Sequence, residues 1–446
     1  MNILQILRNN FDPLRHPNFR LYLGGQAISL IGTWLQATAQ AWVVWELTKS
    51  EAALGIVTLL NSLPVLFLSA YAGVWADRLD RRKLLIGTQI VAMILAFILA
   101  FLTQTNLIQI WHVYLLALAL GVVTALDLPT QQAFLGDLAG VGEVRKAVNL
   151  NITVLQISRV LGPSLAGLIV ARVGIAPAFW LNGLSFLAVI LSLIRVRVEQ
   201  AQPKVTGKVD PFHQIIEGIR YVRTQPRLQD LFLFAVLLTF FVFSVIMNVL
   251  PAVAEKLLNG NAETLGQLMA SSGAGALIAV LFLAPTTQTL KRSGVVLVGA
   301  CLWIAVWLFV FGNSRSLPLS IFSLFMGSIG APTVMTMAMG LIQSLAPNAM
   351  RGRLASLFTT ISFGFQPIAA IWIGGVAENF GVDRAIQVNA ILLAILTLTL
   401  VATRRDIWTW IYAENKSSRP YIAPVVQAEL TPLPPDAVPT RQSGDR

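Results

Sequence analysis

Apolar runs of about twenty residues recur along this chain, and no other feature constrains its fold as much. A helix needs about 20 apolar residues to cross roughly 30 Å of hydrocarbon. Inside lipid, only helices and closed barrels satisfy their own backbone groups. Twelve such runs cover about 20–46, 53–76, 84–103, 110–134, 147–171, 175–195, 229–255, 264–285, 294–312, 317–344, 353–378 and 383–403. Only 12% of the 446 residues are charged, about half the share of an ordinary soluble domain. The expectation is an all-α integral membrane protein with twelve transmembrane helices in two pseudo-symmetric six-helix bundles.

The net charge of +11 matters less than its distribution, which argues for membrane topology and against nucleic acid. With both termini in the cytoplasm, the inner loops hold Arg15, Arg20, Arg78, Arg81, Arg82, Lys83, Arg145, Lys146, Lys291, Arg292, Arg351 and Arg353. A basic run from Arg195 to Arg227 lies on the same side. The outer loops hold only Lys49, Arg172, Lys256, Arg315 and Arg384. This bias is the positive-inside pattern of a plasma (inner) membrane protein. Met1 to Arg20 lacks the apolar core of a cleavable signal, so the first span is expected to serve as its own insertion signal.

The longest internal loop divides the chain into an N-terminal bundle (1–195), a cytoplasmic linker (196–228) and a C-terminal bundle (229–405), followed by a proline-rich tail (406–446). In the linker, Asp210-Pro211 has the form of a helix start. Phe212, Ile215, Ile216, Ile219 and Val222 follow at helical spacing opposite Arg220 and Arg223, predicting an amphipathic helix on the inner leaflet. The tail is expected to be disordered. The halves also share sparse internal matches: Gly55 with Gly266, Gly167 with Gly374, Gly174 with Gly381, and Asn182 with Asn389. A six-plus-six repeat has this form.

Between the second and third runs, the stretch Gly73-Val-Trp-Ala-Asp77-Arg78-Leu-Asp80-Arg81-Arg82-Lys83 places six charges in seven residues. Such a cluster belongs at a membrane surface, since charges in hydrocarbon cost kilocalories each. The pattern Gly-x-x-x-Asp-Arg-x-x-Arg-Arg-Lys at this position resembles the cytoplasmic signature loop of the major facilitator superfamily. The second copy has decayed, with Ala284 and Gln288 at the glycine and aspartate positions. The resemblance implies a gate in which Asp77 faces the positive N-terminal end of span eleven and Arg81 ties Asp77 to an acid on span four. Asp127, placed near the cytoplasmic end of that span, is the expected third member.

Arg159 sits midway along span five, where a charge is expensive and usually functional. It precedes Gly162-Pro163-Ser-Leu-Ala166-Gly167, which resembles the span-five motif of proton-coupled antiporters, with Ala166-Gly167 where Gly-Gly is usual. Proline frees a backbone carbonyl and glycines permit close packing, so this helix is expected to act as a hinge. Arg159 either biases the cavity towards anionic groups, pairs with a carboxylate, or is satisfied by carbonyls of neighbouring helices. Trp34, Gln36, Gln40, Asn61, Asn248, Met335, Met339, Gln343 and Gln366 form a set of candidate substrate contacts, the methionines because they adapt to varied apolar partners.

Phe19–Trp34, Glu46–Ser50, Ala147–Asn151 and Arg159–Pro163 together resemble the drug:proton antiporter branch that includes enterobactin exporters and macrolide efflux proteins, over about 11–405. The resemblance implies a secondary transporter that exports amphiphilic small molecules by alternating access, driven by the proton gradient, without a cofactor and as a monomer. Its partners are then the substrate and the lipid bilayer. A narrow siderophore or lysolipid carrier and a non-transporting sensor or scaffold remain the alternatives. No acid falls at mid-depth of span one, so the protonated group stays open. The chain has no phosphate-cradling glycine loop with lysine, no metal-ligand cluster and no hydrolytic triad. His16, His112 and His213 are scattered and Cys301 is alone in an apolar run, which argues against an enzyme or an ATP-driven pump.

Overall fold

The computed structural model describes residues 12–139, 143–196, 211–283, 292–347, 350–404 and 407. Apart from Ile407, the proline-rich tail lies outside these residues, as does the decayed second loop at Ala284 and Gln288. All regular structure among the described residues is helical.

Helices α1 (Pro17–Thr48), α2 (Glu51–Arg78), α3 (Arg81–Gln104), α4 (Ile110–Leu138), α5 (Val144–Val173) and α6 (Ala176–Arg195) precede a linker helix, α7 (Pro211–Thr224). Then come α8 (Pro226–Leu238), α9 (Ala262–Ile278), α10 (Ser293–Asn313), α11 (Leu317–Leu345), α12 (Arg351–Gly364), α13 (Gln366–Phe380) and α14 (Val382–Thr403). The helix begun by α8 runs on through wide π-helical turns at Thr239–Phe243 and Val253–Leu257, so one continuous segment reaches Leu257. Short polar side chains start three of the helices. Ser50 caps α2 by accepting from Ala53 N, Asp80 caps α3 by accepting from Lys83 N, and Asn261 caps α9 through Glu263 N and Thr264 N, each meeting donors a helix start leaves unpaired.

Among the described residues, eleven segments are long and apolar enough to cross a membrane. They begin with α2 and count Pro226–Asn248 and Arg351–Phe380 as one each. α1 is not among them, although its 32 residues span about 48 Å at 1.5 Å per residue. Its polar content, including Gln26, Gln36, Thr38 and Gln40, lowers its apolarity, and it packs lengthwise on α5 and α6.

The internal repeat is visible in the packing. Between the two sets of helices the principal contacts are α5 on α9 and α2 on α13, which the repeat exchanges. At each seam, glycine lets two backbones touch. A Cβ on Gly55 would lie 2.6 Å from Ala370 O, and one on Gly266 would lie 2.6 Å from Pro163 O. Gly174 and Gly381 end α5 and α13 with φ of 98° and 95°, a region that side chains disfavour. Asn182 on α6 donates to Gln36 on α1 at 2.7 Å. Its counterpart Asn389 on α14 donates to Phe241 O and Ser244 Oγ, on the segment equivalent to α1.

The linker helix starts at Pro211, with Ile216 and Ile219 exposed. Its Glu217 pairs with Arg353 of α12 at 2.7 Å, fastening the linker to the C-terminal half.

Candidate functional site

The polar chemistry gathers at three levels. At one end of the bundle, the start of α3 meets the end of α4. Arg81 donates to both carboxylate oxygens of Asp137 at 2.9 Å, and their side chains are 15% and 23% exposed. Arg82 donates from Nε to Leu193 O at 2.6 Å and also to Ile194 O, locking the loop onto the end of α6. The side chains of Gly73, Asp77 and Arg78 lie outside the described ones, and the gating role of Asp77 therefore remains a proposal.

Asp127 stands apart from this cluster. Its carboxylate accepts from Thr88 at 2.7 Å, Gln89 at 3.0 Å and Gln131 one turn away. Gln26 of α1 extends the chain by donating to Gln131 at 3.4 Å. Ten residues of helix, about 15 Å at 1.5 Å each, separate Asp127 from Asp137, so Asp127 is an interior bond of the N-terminal half. The acid of α4 that Arg81 reaches is Asp137, which the sequence reading did not single out. The signal for it was depth. The apolar run of span four was ended at 134, whereas α4 continues to Leu138 and carries Asp137 to its rim.

At the opposite end, ion pairs join the two halves. Lys49, in the turn after α1, contacts Glu255 at 2.6 Å, and Lys256 contacts Glu51 of α2 at 2.7 Å. Trp45 donates its indole N–H to the same Glu255, and both lysine ammonium groups lie over its ring, 5.6 and 5.0 Å from the centroid. Glu51 is only 1% exposed, so Lys256 is what makes its charge tolerable there. Glu378 of α13 accepts from Ser50 Oγ at 3.1 Å and Ala52 N at 3.2 Å, capping α2 from the other half. Among the described residues, every ion pair joining the halves lies at this Lys49 end. Glu255 lies beyond the apolar stretch that ends at Asn248. The hydrogen bond from Lys49 holds its carboxyl below the usual carboxylate range.

Between these ends, Arg159 of α5 holds its guanidinium carbon 5.0 Å from the Trp34 ring centroid. Gly162, one turn on, packs against Trp34: an added Cβ would lie 2.5 Å from Trp34 Cβ. Gly167 faces Ala262 and Glu263 across the seam, and Pro163 lies within the unbroken helix.

The other candidate contacts divide. Gln36 is buried and committed to Asn182. Asn248 is fully buried and donates to Ser244 O. Both are bonds inside a half. Asn61 backs onto Gly121 in the packing of α2 against α4. Gln40, Met335, Met339 and Gln366 are half-buried, and Gln343 is exposed. A cavity of about 920 Å³ lies at the Lys49 end, lined by Trp42, Glu46, Gln104, Trp180 and Asn261 among others. None of the nine predicted contacts lies on its wall.

Two sets of apolar helices related by an internal repeat and joined at two equivalent seams define a multi-spanning secondary transporter of the major facilitator type. The family model for transmembrane secretion effectors matches residues 8–433, and the chain belongs to that family of the major facilitator superfamily. It is 24% identical over 392 residues to a staphyloferrin A transporter of Staphylococcus aureus, covering 87% of this chain and 96% of that protein. It is 25% identical over 400 residues to the enterobactin exporter EntS of Shigella boydii, covering 87% and 93%. Among solved structures, a bacterial homologue of the human lysosomal transporter Spinster, inward-facing and unoccupied, superposes with a TM-score of 0.69 at 13% identity. That match covers 90% of this chain and all of the other. The nucleoside transporter NupG gives 0.65 at 14% identity, covering 87% and 99%. At such identities these structures speak to the fold alone.

Proposed function

We propose that this protein exports siderophore-like amphiphiles by alternating access, using the inward proton gradient. In this reading α1 is a twelfth span, both termini are cytoplasmic and the Lys49 end faces outward. The protein works as a monomer in the inner membrane. The observation that carries it is the seam of paired Lys49, Glu255, Lys256 and Glu51 at one end. Cross-half pairs that, among the described residues, gather at one face are what a rocking-bundle transporter needs to hold that face shut while the other admits cargo. The names of the staphyloferrin A and enterobactin relatives support the substrate class, and the basic loops support the orientation.

The test is uptake of apo-enterobactin and apo-staphyloferrin A into inside-out vesicles made from cells without their own exporters. Accumulation that needs this protein and collapses with a proton uncoupler is expected. Uptake that the uncoupler leaves intact would refute proton coupling, and no uptake of either compound would refute the substrate class.

A further inference from the structure

We infer that Arg159 and Trp34 form the subsite for an anionic group of the cargo: a carboxylate, a sulfonate or an ionised catechol attached to an apolar body. The inference rests on the transport reading above and names its substrate class more narrowly.

Arg159 is the sixteenth of the 30 residues of α5, so about 22 Å of helix lies on either side of it. It forms no hydrogen bond or ion pair with any described residue. Its one described side-chain interaction is the stack on Trp34. Arg159 is half-buried, and a cation at mid-span with no described countercharge is costly unless something else supplies one. Among the acids of the same half, Asp127, the one farthest from a helix end, is already engaged by Thr88, Gln89 and Gln131.

The position is also built. Gly162 seats the Trp34 side chain, and a Cβ on Gly273 of α9 would lie 2.6 Å from Arg159 O. Arg159 therefore stands where α1 and α5 of one half meet α9 of the other. One turn further along both partners, Thr38 of α1 donates to the Met269 sulfur of α9 at 3.4 Å. The Trp34 ring lies 5.0 Å from the guanidinium carbon, and no described residue takes up the guanidinium N–H donors. Those donors form a planar fork matched to a carboxylate-like anion, with indole and thioether beside it for an apolar body. A cationic cargo meets repulsion at the same place, which separates this protein from exporters of cationic drugs.

Two probes with one body test the subsite: 8-anilinonaphthalene-1-sulfonate and neutral N-phenyl-1-naphthylamine, titrated onto the purified full-length protein. Arg159→Gln is expected to weaken the sulfonate on the order of tenfold and the neutral probe less than about twofold, since losing one charge-assisted contact is felt by the anion alone. Arg159→Lys is expected to fall between, because it keeps the charge and loses the fork. Equal change for both probes, or none, overturns the proposal. Should Arg159→Gln not fold, the wild-type protein provides the second measurement. Decanoate should displace the bound sulfonate and decyltrimethylammonium should not; the reverse order, or equal displacement, overturns the proposal. Binding is read here without flux. A protein that selects the anion but fails to move siderophore in vesicles would sink the transport reading and leave the subsite standing.

Discussion

One guanidinium nitrogen of Arg81 serves both carboxylate oxygens of Asp137, at 2.9 Å each. The contact ties the first residue of α3 to the rim of α4 across 56 residues of chain. It is largely shielded from water, so removing either partner leaves a poorly solvated charge.

Asp137→Ala is accordingly expected to destabilise the N-terminal half by about 1–3 kcal/mol, the usual cost of removing one partner of a poorly solvated charged hydrogen bond. The exchanged pair Arg81→Asp with Asp137→Arg should restore part of that loss. Thermal unfolding of the purified variants measures both. If the arginine acts through Asp127 instead, Asp137→Ala will be neutral.

At the Lys49 end, joining Lys49→Cys to Glu255→Cys with a short bis-maleimide is expected to abolish transport in vesicles. A long flexible spacer should restore most of it. Full activity with the short bridge in place would mean that these residues never part during the cycle.

Lys256→Ala leaves the carboxylate of Glu51, 1% exposed, without its cation. The closed seam should lose about 1–3 kcal/mol, since the lysine is half exposed and partly screened, and the population should shift towards the conformer in which this end is open. Labelling of Ser50→Cys by a membrane-impermeant thiol reagent reads that shift as a faster reaction.

Acid acts on the same seam with a defined sign. The carboxyl of Glu255 is held below its ordinary value of 4.5 by Lys49. Its stabilisation of the closed seam is therefore complete above that value and is lost as pH falls through the depressed one. The labelling rate, taken relative to a fully exposed reference cysteine at the same pH so that thiolate ionisation cancels, is expected to stay flat from pH 8 to about 5 and to rise only below the ordinary carboxylate range. A rise centred near pH 6.5 would point to a different group.

Seam glycines offer a symmetric test. Gly55→Ala and Gly266→Ala each place a methyl 2.6 Å from a backbone carbonyl of the other half. Each should weaken its seam by about 1–3 kcal/mol, as overpacking does. Because the repeat relates the two positions, their effects should match. Bis-maleimide cross-linking yield between Lys49→Cys and Glu255→Cys compares them directly.

Much of the fold was legible because lipid removes choices. A run such as 84–103 has only one way to satisfy its backbone, and α3 fills it as Arg81–Gln104. The repeat was readable from a few glycines and asparagines. Close helix contact tolerates little else at Gly55 and Gly266, and Asn182 and Asn389 each hold one helix to the next. The long-range pairs were not readable. Lys49 and Lys256 register in the sequence only as outer-loop charges, and nothing local announces that each meets an acid more than 200 residues away. Gln36 and Asn248 looked like cavity residues because a polar side chain in an apolar run is conspicuous whichever way it points. Arg159 is conspicuous for the same reason, but its neighbours Trp34 and Gly273 lie on helices more than 100 residues away in the chain, and no local pattern joins them.

The two ion pairs of the Lys49 end run in opposite senses. One half contributes Lys49 and Glu51, the other Glu255 and Lys256. A slip of one half along the other would bring lysine beside lysine and carboxylate beside carboxylate, whereas separation at right angles breaks both bonds without creating repulsion. The crossed charges thus work as a key in a slot. They let the halves part and return to one registration, and they forbid sliding.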